Sequence, residues 1–283
     1  MSTWFFASDL HGSISRYRKL LERVKEEAPD VLLLGGDLLP NNPTEIGDEG
    51  VEFLPCLYGQ LNNLKTHLGL AYPHVYAILG NDDPRSVESD IRMGETQNLW
   101  VYMHNRRAEL FRYSIYGYAC IPPSPFLLKD WERYDVSHYV DPGCISPEEG
   151  WHTAPLSRDE IYHNTIQSDL HQLAKDTDLK NAILLFHAPP YRTNLDIAAL
   201  KGTTYENVPL DEHVGSIAIR RFIESRKPHI TLHGHIHEST RLSGSWKDQL
   251  GSTYAFSAAH EGNELALIRF DPQSPEDASR ELI

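Results

Sequence analysis

Five short apolar runs, each stopped by a residue able to hold a metal ion or a proton, constrain this chain most. They are 4–8 before Asp9, 31–34 before "GGD" and Asp37, and 75–79 before "GND" and Asn81. The fourth is 182–186 before His187, and the fifth is 230–232 before "HGHIH". Short runs rich in Val, Ile, Leu and aromatic residues predict buried strands rather than amphipathic helices. Polar groups placed after each run are then expected at the carboxyl ends of strands, where open α/β sheets gather their ligands.

Helical patterns lie between the runs. Residues 13–27 carry Ile14, Tyr17, Leu20, Leu21 and Val24 at helical spacing, with Pro29 just past the end. Residues 157–175 open on Ser157 and Glu160, a capping box, and place Ile161, Ile166, Leu170 and Leu173 near one face. Residues 216–226 form a third helical pattern, stopped before Pro228. Strand, helix and strand in alternation predict βαβ units and a mostly parallel sheet. The aromatic, more alternating texture of 101–127, repeated over 252–271, predicts a second and partly antiparallel sheet. Segments 84–100, 122–156 and 188–212 are rich in Pro, Gly, Asp and Tyr and read as long loops, within one domain spanning 1–283.

Composition narrows the function classes. The 283 residues carry a formal net charge of −14, which argues against a broad nucleic-acid grip and leaves only short oligonucleotides. A small anionic substrate stays open, because bound cations invert local charge. No apolar run is long enough to cross a bilayer, so no membrane association is expected. The N-terminal stretch lacks a basic region and a long apolar segment, so no signal peptide is expected. Three cysteines, Cys56, Cys120 and Cys144, at unrelated spacings fit a reducing cytoplasm better than a disulfide framework.

The candidate metal ligands are Asp9, His11, Asp37, Asn81, His187, His235 and His237. Oxygen and nitrogen donors without thiolate suit Mn, Fe, Zn, Co or Ni rather than Ca or Mg alone. Seven donors are too many for one ion that keeps an open position. They suit two ions bridged by a carboxylate, about 3.5–4 Å apart, which activate a hydroxide and clamp a phosphoryl group. In Asp9-Leu10-His11 and His235-Ile236-His237, residues i and i+2 of an extended strand end would project to one side.

These motifs, "SDLHG", "GGD", "GND", "LFHAPP" and "HGHIHE", resemble the D-x-H, G-D, G-N, H and G-H-x-H pattern of the calcineurin-like metallophosphoesterase superfamily. The resemblance spans residues 9–237. It implies a four-layer α/β/β/α sandwich with two central mixed sheets. It further implies Asp9, His11 and His237 at one metal and Asn81, His187 and His235 at the other, with Asp37 bridging. The departure is at position 82. Many members carry a histidine there that contacts phosphate, whereas this chain has Asp82 followed by Asp83. Asp83 matches the acidic residue that often pairs with that histidine. Asp82 could serve as general acid only with a strongly raised pKa, which two adjacent cations disfavour. Its other reading is a turn residue behind the ligands. Members lacking the histidine include phosphodiesterases, so a phosphodiester is favoured over a monoester.

The expected activity is therefore hydrolysis of a small phosphoester, with Asp37, Asn81, Asp82 and Asp83 as the candidate catalytic residues. The rival reading is a non-catalytic metal-binding scaffold of the same fold acting in protein–protein interaction, and a nuclease is the third. His233 would share the face of His235 if its strand continued, or sit in the core. His229 reads as a strand start, and His260 as a mobile loop or the site's edge. Arg192 reads as a surface residue that could instead overhang the site. Tyr113, Tyr116 and Tyr118 read as packing, and 122–135 as a pocket wall or partner surface.

Overall fold

A computed structural model describes residues 2–40 and 52–283. The chain starts with β1 (Trp4–Ala7), α1 (Ile14–Glu27), β2 (Val31–Gly35), α2 (Phe53–Leu68), β3 (His74–Ile78), α3 (Glu88–Thr96) and β4 (Val101–Tyr102). A hairpin of β5 (Arg106–Leu110) and β6 (Tyr113–Tyr118) leads through a long loop to α4 (Arg158–His163), α5 (Ile166–Ala174) and β7 (Ala182–Phe186). Next come a small hairpin, β8 (Thr204–Tyr205) and β9 (Val208–Pro209), then α6 (Ile217–Arg226), β10 (Ile230–His233) and α7 (Ser239–Ser243). The chain finishes with β11 (Lys247–Leu250), β12 (Thr253–Ser257), β13 (Ala266–Phe270) and β14 (Ser279–Leu282).

Apart from the β8–β9 hairpin, these strands form two mixed six-stranded sheets, ordered β14-β13-β1-β2-β3-β4 and β11-β12-β10-β7-β6-β5. The inner strands run parallel, and the antiparallel partners are confined to β13, β14, β11 and β5. β2 faces β7 and β3 faces β6 across the middle, so the two sheets stack on each other. Crossovers of one hand place α1, α2 and α3 together outside the first sheet, and α5 packs beside α6 outside the second. The result is the α/β/β/α sandwich. β1, β2, β7 and β10 are buried along their whole lengths, as strands covered on both faces must be.

The helix expected over 13–27 forms, capped by the Ser13 side chain on the Arg16 N–H and ended by Ala28 in the left-handed region. Tyr17, Leu20 and Val24 face the core, but Ile14 is 74% exposed. The pattern at 157–175 is two helices, not one. Asn164 is extended, and Thr165 starts a new capping box with Ser168. The break lets the Ile166 and Gln167 N–H groups bond the Tyr134 and Asp135 carbonyls, a tertiary gain that outweighs one continuous helix.

Segment 84–100 is also not a loop, since it holds α3. The apolar pattern of α3 is faint because Gly94 replaces a core side chain. A Cβ there would lie 2.6 Å from the Trp100 indole. β4 closes the first sheet beside β3, whereas the texture of 101–127 placed it in the second. Residues 122–156 contain α-helix or strand nowhere among the described residues except in isolated bridges, and β8 and β9 interrupt 188–212.

His104 lies in the core between Tyr118 and Trp131, accepting the Ala119 N–H at Nδ1. Burial, reinforced by Arg85, Arg133 and Arg92, pushes its pKa down to about 3. A depressed folded pKa contributes stability that is present above about pH 6.5 and is lost as pH falls toward 3. From pH 6.5 to pH 5 this one imidazole should remove about 2 kcal/mol. Urea unfolding of the parent and of His104→Gln at both pH values checks this, and an equally steep acid loss in the variant would contradict it.

Candidate metal centre

The strand ends of both sheets meet at one edge of the sandwich and bring the seven candidate donors together. Two groups emerge, Asp9, His11, Asp37 and His237, and Asp37, His187 and His235, each with ligand atoms within 4.8 Å of one another. Asp37 belongs to both. Its Oδ2 lies 3.2 Å from His187 Nε2 and 3.9 Å from His11 Nε2. Asn81 joins the second group through Oδ1, 3.0 Å from His187 Nε2. In the first group, His237 Nε2 is 3.2 Å from both His11 Nε2 and Asp9 Oδ1.

The local geometry differs from extended strand ends. Asp9, His11, Asp37 and His235 all have positive φ, 57°, 46°, 51° and 73°. Such conformations are costly outside glycine and persist where surrounding structure imposes them. At Asp9, His11 and Asp37 backbone bonds impose them: the Asp9 N–H donates to Gly36 O, His11 N–H to Asp37 O, and Gly12 N–H to Leu38 O. The turn buries Leu10 completely while presenting Asp9 and His11 to the cluster. Close approach also needs glycine at two points. A Cβ on Gly80 would collide with Asp37 Oδ1, and one on Gly234 would lie 2.6 Å from Asp9 Oδ2.

Hydrogen bonds from behind aim the donors. His187 Nδ1 sits 2.9 Å from the Gly35 carbonyl, which keeps the hydrogen on Nδ1 and turns Nε2 toward Asp37. The Asn81 amide donates to Asp82 Oδ1, which leaves its own Oδ1 for the cluster. Asp9 accepts the His235 N–H at Oδ1.

Charge follows from this packing. Burial opposes ionisation of Asp9, yet His237, His187 and His11 hold it below the usual carboxylate range. Burial likewise opposes a proton on His187, but the Asp37 carboxylate raises it to about 10. Desolvation and the charge on His187 push His235 down to about 3.

The other two predicted catalytic residues separate. Asp82 is half exposed at the mouth of the cluster, with Oδ2 3.6 Å from His11 Nδ1 and its N–H on Asp37 Oδ1. Burial and the Asp37 charge raise its pKa. Asp83 is fully buried, and both its oxygens accept backbone N–H groups, from Leu38, Leu39 and Gly80. Burial and Asp37 raise it to about 7.

His233 lies in the core, not at the cluster: it stacks on Phe186, bonds the Ala188 carbonyl and receives the Thr231 hydroxyl. His229 bonds Pro272 O and stacks on Tyr113 at the start of β10. His260 pairs with Glu264, and the Arg192 guanidinium covers Tyr191 at the surface. Tyr113, Tyr116 and Tyr118 are buried packing residues. Arg16 and Trp131 carried no sequence signal. Arg16 binds the Asp9 and Gly262 carbonyls, and Trp131 the Asp83 carbonyl. Arg16 reads locally as one more charged helix position, and Trp131 sits in a segment without periodicity.

The donor set fits divalent cations. Asp9 Oδ2 is buried without any hydrogen-bond partner, a position that a cation would satisfy and that is costly otherwise. The donors are imidazole, carboxylate and amide, which suit borderline ions.

Comparison with known proteins identifies the family to which this fold belongs. The calcineurin-like phosphoesterase family model matches residues 4–239, and the chain belongs to that family. An uncharacterized protein of Methanocaldococcus jannaschii is 37% identical over 99 residues, covering 34% of this chain and 36% of that protein. This chain thus matches about a third of that relative's length. The protein TT1561 of Thermus thermophilus superposes with a TM-score of 0.58 at 14% identity, covering 99% of this chain and 98% of that one. A dimetal phosphatase from Danio rerio gives 0.52 at 10% identity, covering 99% and 95%. At these identities the two structures share the fold. Among the described residues no helix is long and apolar enough to cross a membrane.

Proposed function

We propose that this chain, read as one domain, is a dinuclear metal-dependent phosphoesterase that prefers a small phosphodiester to a monoester. The observation that carries the reading is Asp37, a buried carboxylate shared by two donor groups, beside the orphaned Asp9 Oδ2. Asp9, His11, His237 and Asp37 would hold one ion, and Asp37, Asn81, His187 and His235 the other. When bound, such ions supply a nucleophilic oxygen at neutral pH and offset charge on the phosphoryl group.

The chain's own groups do the rest. His187 presents Nε2 because Gly35 holds Nδ1, and Asn81 presents Oδ1 because Asp82 takes its amide. His235, kept neutral, would offer a lone pair without first releasing a proton, whereas His187, raised to about 10, would give up its Nε2 proton as an ion binds.

Asp82 supports the diester preference. Two divalent ions against Asp9, Asp37 and a hydroxide nucleophile would leave a net charge of about +1, and an ionised Asp82 reduces it to about 0. The negative charge of Asp82 therefore penalises a monoester dianion more than a diester monoanion. Asp82→Asn should raise kcat/KM for an aryl monoester relative to an aryl diester by about tenfold. Parallel assays of 4-nitrophenyl phosphate and bis(4-nitrophenyl) phosphate read this ratio, and an unchanged ratio would remove Asp82 as its source. Absence of turnover on both would count against the hydrolase reading itself.

A further inference from the structure

The loop that follows β6 closes on itself and grips the metal-centre loops from behind. Its Ile121 bonds the 131–133 turn, donating its N–H to Trp131 O at 2.8 Å and accepting the Arg133 N–H at 3.0 Å. Trp131 is fully buried, edge-on to His104 at 4.9 Å and under the Arg85 guanidinium at 5.2 Å. Its indole N–H donates to the Asp83 carbonyl at 2.7 Å, and neighbouring Asp130 accepts the Arg85 N–H at 2.7 Å. Residues 83–85 are thus held at both ends by this loop.

Asp83 passes the restraint on. Its carboxylate accepts Gly80 N–H at 2.8 Å, the residue before Asn81. It also accepts Leu38 N–H at 3.1 Å and Leu39 N–H at 2.7 Å, directly after Asp37. One carboxylate therefore ties the Asp37 loop, which sits in a strained left-handed turn, to the Asn81 loop. Neither Trp131 nor the Asp83 carboxylate faces the cluster.

We infer that Trp131 and Asp83 are positioning residues: together they set the spacing between Asp37 and Asn81, and so the affinity of the cation held between them. This rests on reading the cluster as a metal centre, but it does not need the chain to hydrolyse anything. Partners behind metal ligands typically change affinity about 10–100-fold when removed.

The test is calorimetric titration of metal-free protein with Mn(II), for the parent, Trp131→Phe, Asp83→Asn and Trp100→Phe. Phe at 131 keeps an aromatic ring against His104 and Arg85 and removes the indole donor with part of the ring, a loss of volume that Trp100→Phe reproduces. Trp100 is the control: it is buried and donates its indole N–H to Ile91 O at 2.9 Å, with no bond to the 80–83 turn. Folding of each variant is read by circular dichroism. The expected result is Mn(II) binding about tenfold or more weaker in Trp131→Phe and Asp83→Asn, and parent affinity in Trp100→Phe. If Trp131→Phe does not fold, Asp83→Asn decides. Parent affinity in the folded 131 and 83 variants overturns the inference, as does an equal loss in Trp100→Phe. A parent that binds no Mn(II) overturns the metal-centre reading itself, whereas normal Mn(II) differences without phosphoester turnover leave this inference standing.

Discussion

Replacing Asp37 with alanine should lower hydrolysis of an aryl phosphodiester by about 10³-fold or more and abolish most metal binding. Among the described residues Asp37 is the carboxylate common to both donor groups, so its loss removes charge from two ion positions at once. Several kcal/mol of electrostatic stabilisation at a metal centre corresponds to that rate factor. The same side chain also holds the Asp82 N–H at 2.8 Å, so the mouth of the site loosens too. Alanine adds a separate cost, because Asp37 has φ of 51° and a left-handed alanine is about 1–2 kcal/mol less stable. Asp37→Asn separates the two effects, since asparagine tolerates that backbone and keeps the side-chain shape. It should retain folding while losing most activity. Assays of bis(4-nitrophenyl) phosphate, with circular dichroism on each variant, read both. Full metal-stimulated hydrolysis by Asp37→Ala would contradict the assignment.

The second large effect concerns stability. Lys129 and Glu132 are both completely buried, with Nζ 2.6 Å from Glu132 Oε2. Lys129 also donates to Ser124 O, and Glu132 accepts the Ser124 N–H and hydroxyl, so every end of the pair is satisfied. Removing one partner strands a buried charge, which costs about 3–5 kcal/mol. Burial raises Glu132 to about 7 even with Lys129 nearby to oppose it. In Lys129→Met, Glu132 would escape by holding a proton that the unfolded carboxyl releases at pH 7, a cost that falls as pH drops. At pH 5 the unfolded carboxyl is closer to its own pKa, so the loss should be smaller than at pH 7. Lys129→Met with Glu132→Leu removes both charges and should recover most of the stability. Urea unfolding of the three proteins at pH 7 and pH 5 measures this. A single variant as stable as the parent at pH 7 would refute it.

The sequence announced what repeats or alternates. Five apolar runs marked β1, β2, β3, β7 and β10, and the residues ending them are the ones that converge. The helices with a clean apolar stripe, α1 and α6, were readable for the same reason. α3 was not, because Gly94 yields its core position to Trp100 and blurs the period. The break at Asn164 was hidden because its cause, the Tyr134 and Asp135 carbonyls, comes from a loop about thirty residues away. The facing of Asp9 and His11 was anticipated for the wrong reason: left-handed turns, rather than strand alternation, point them inward. Trp131 and Lys129 escaped notice because a buried polar network has no period, and only the folded loop shows that its charges are paired. Position 82 is the point where family pattern and chemistry part. There the sequence offered a general acid or a turn residue behind the ligands, and the structure places a half-exposed carboxylate at the mouth.

The most direct test of the central claim is a titration of chelator-stripped protein with Mn(II), following bound ions and bis(4-nitrophenyl) phosphate turnover together. The account predicts negligible turnover without metal and activity that rises to a plateau at two ions per chain. Turnover that survives complete metal removal, or two bound ions with no turnover on any phosphoester, would contradict it.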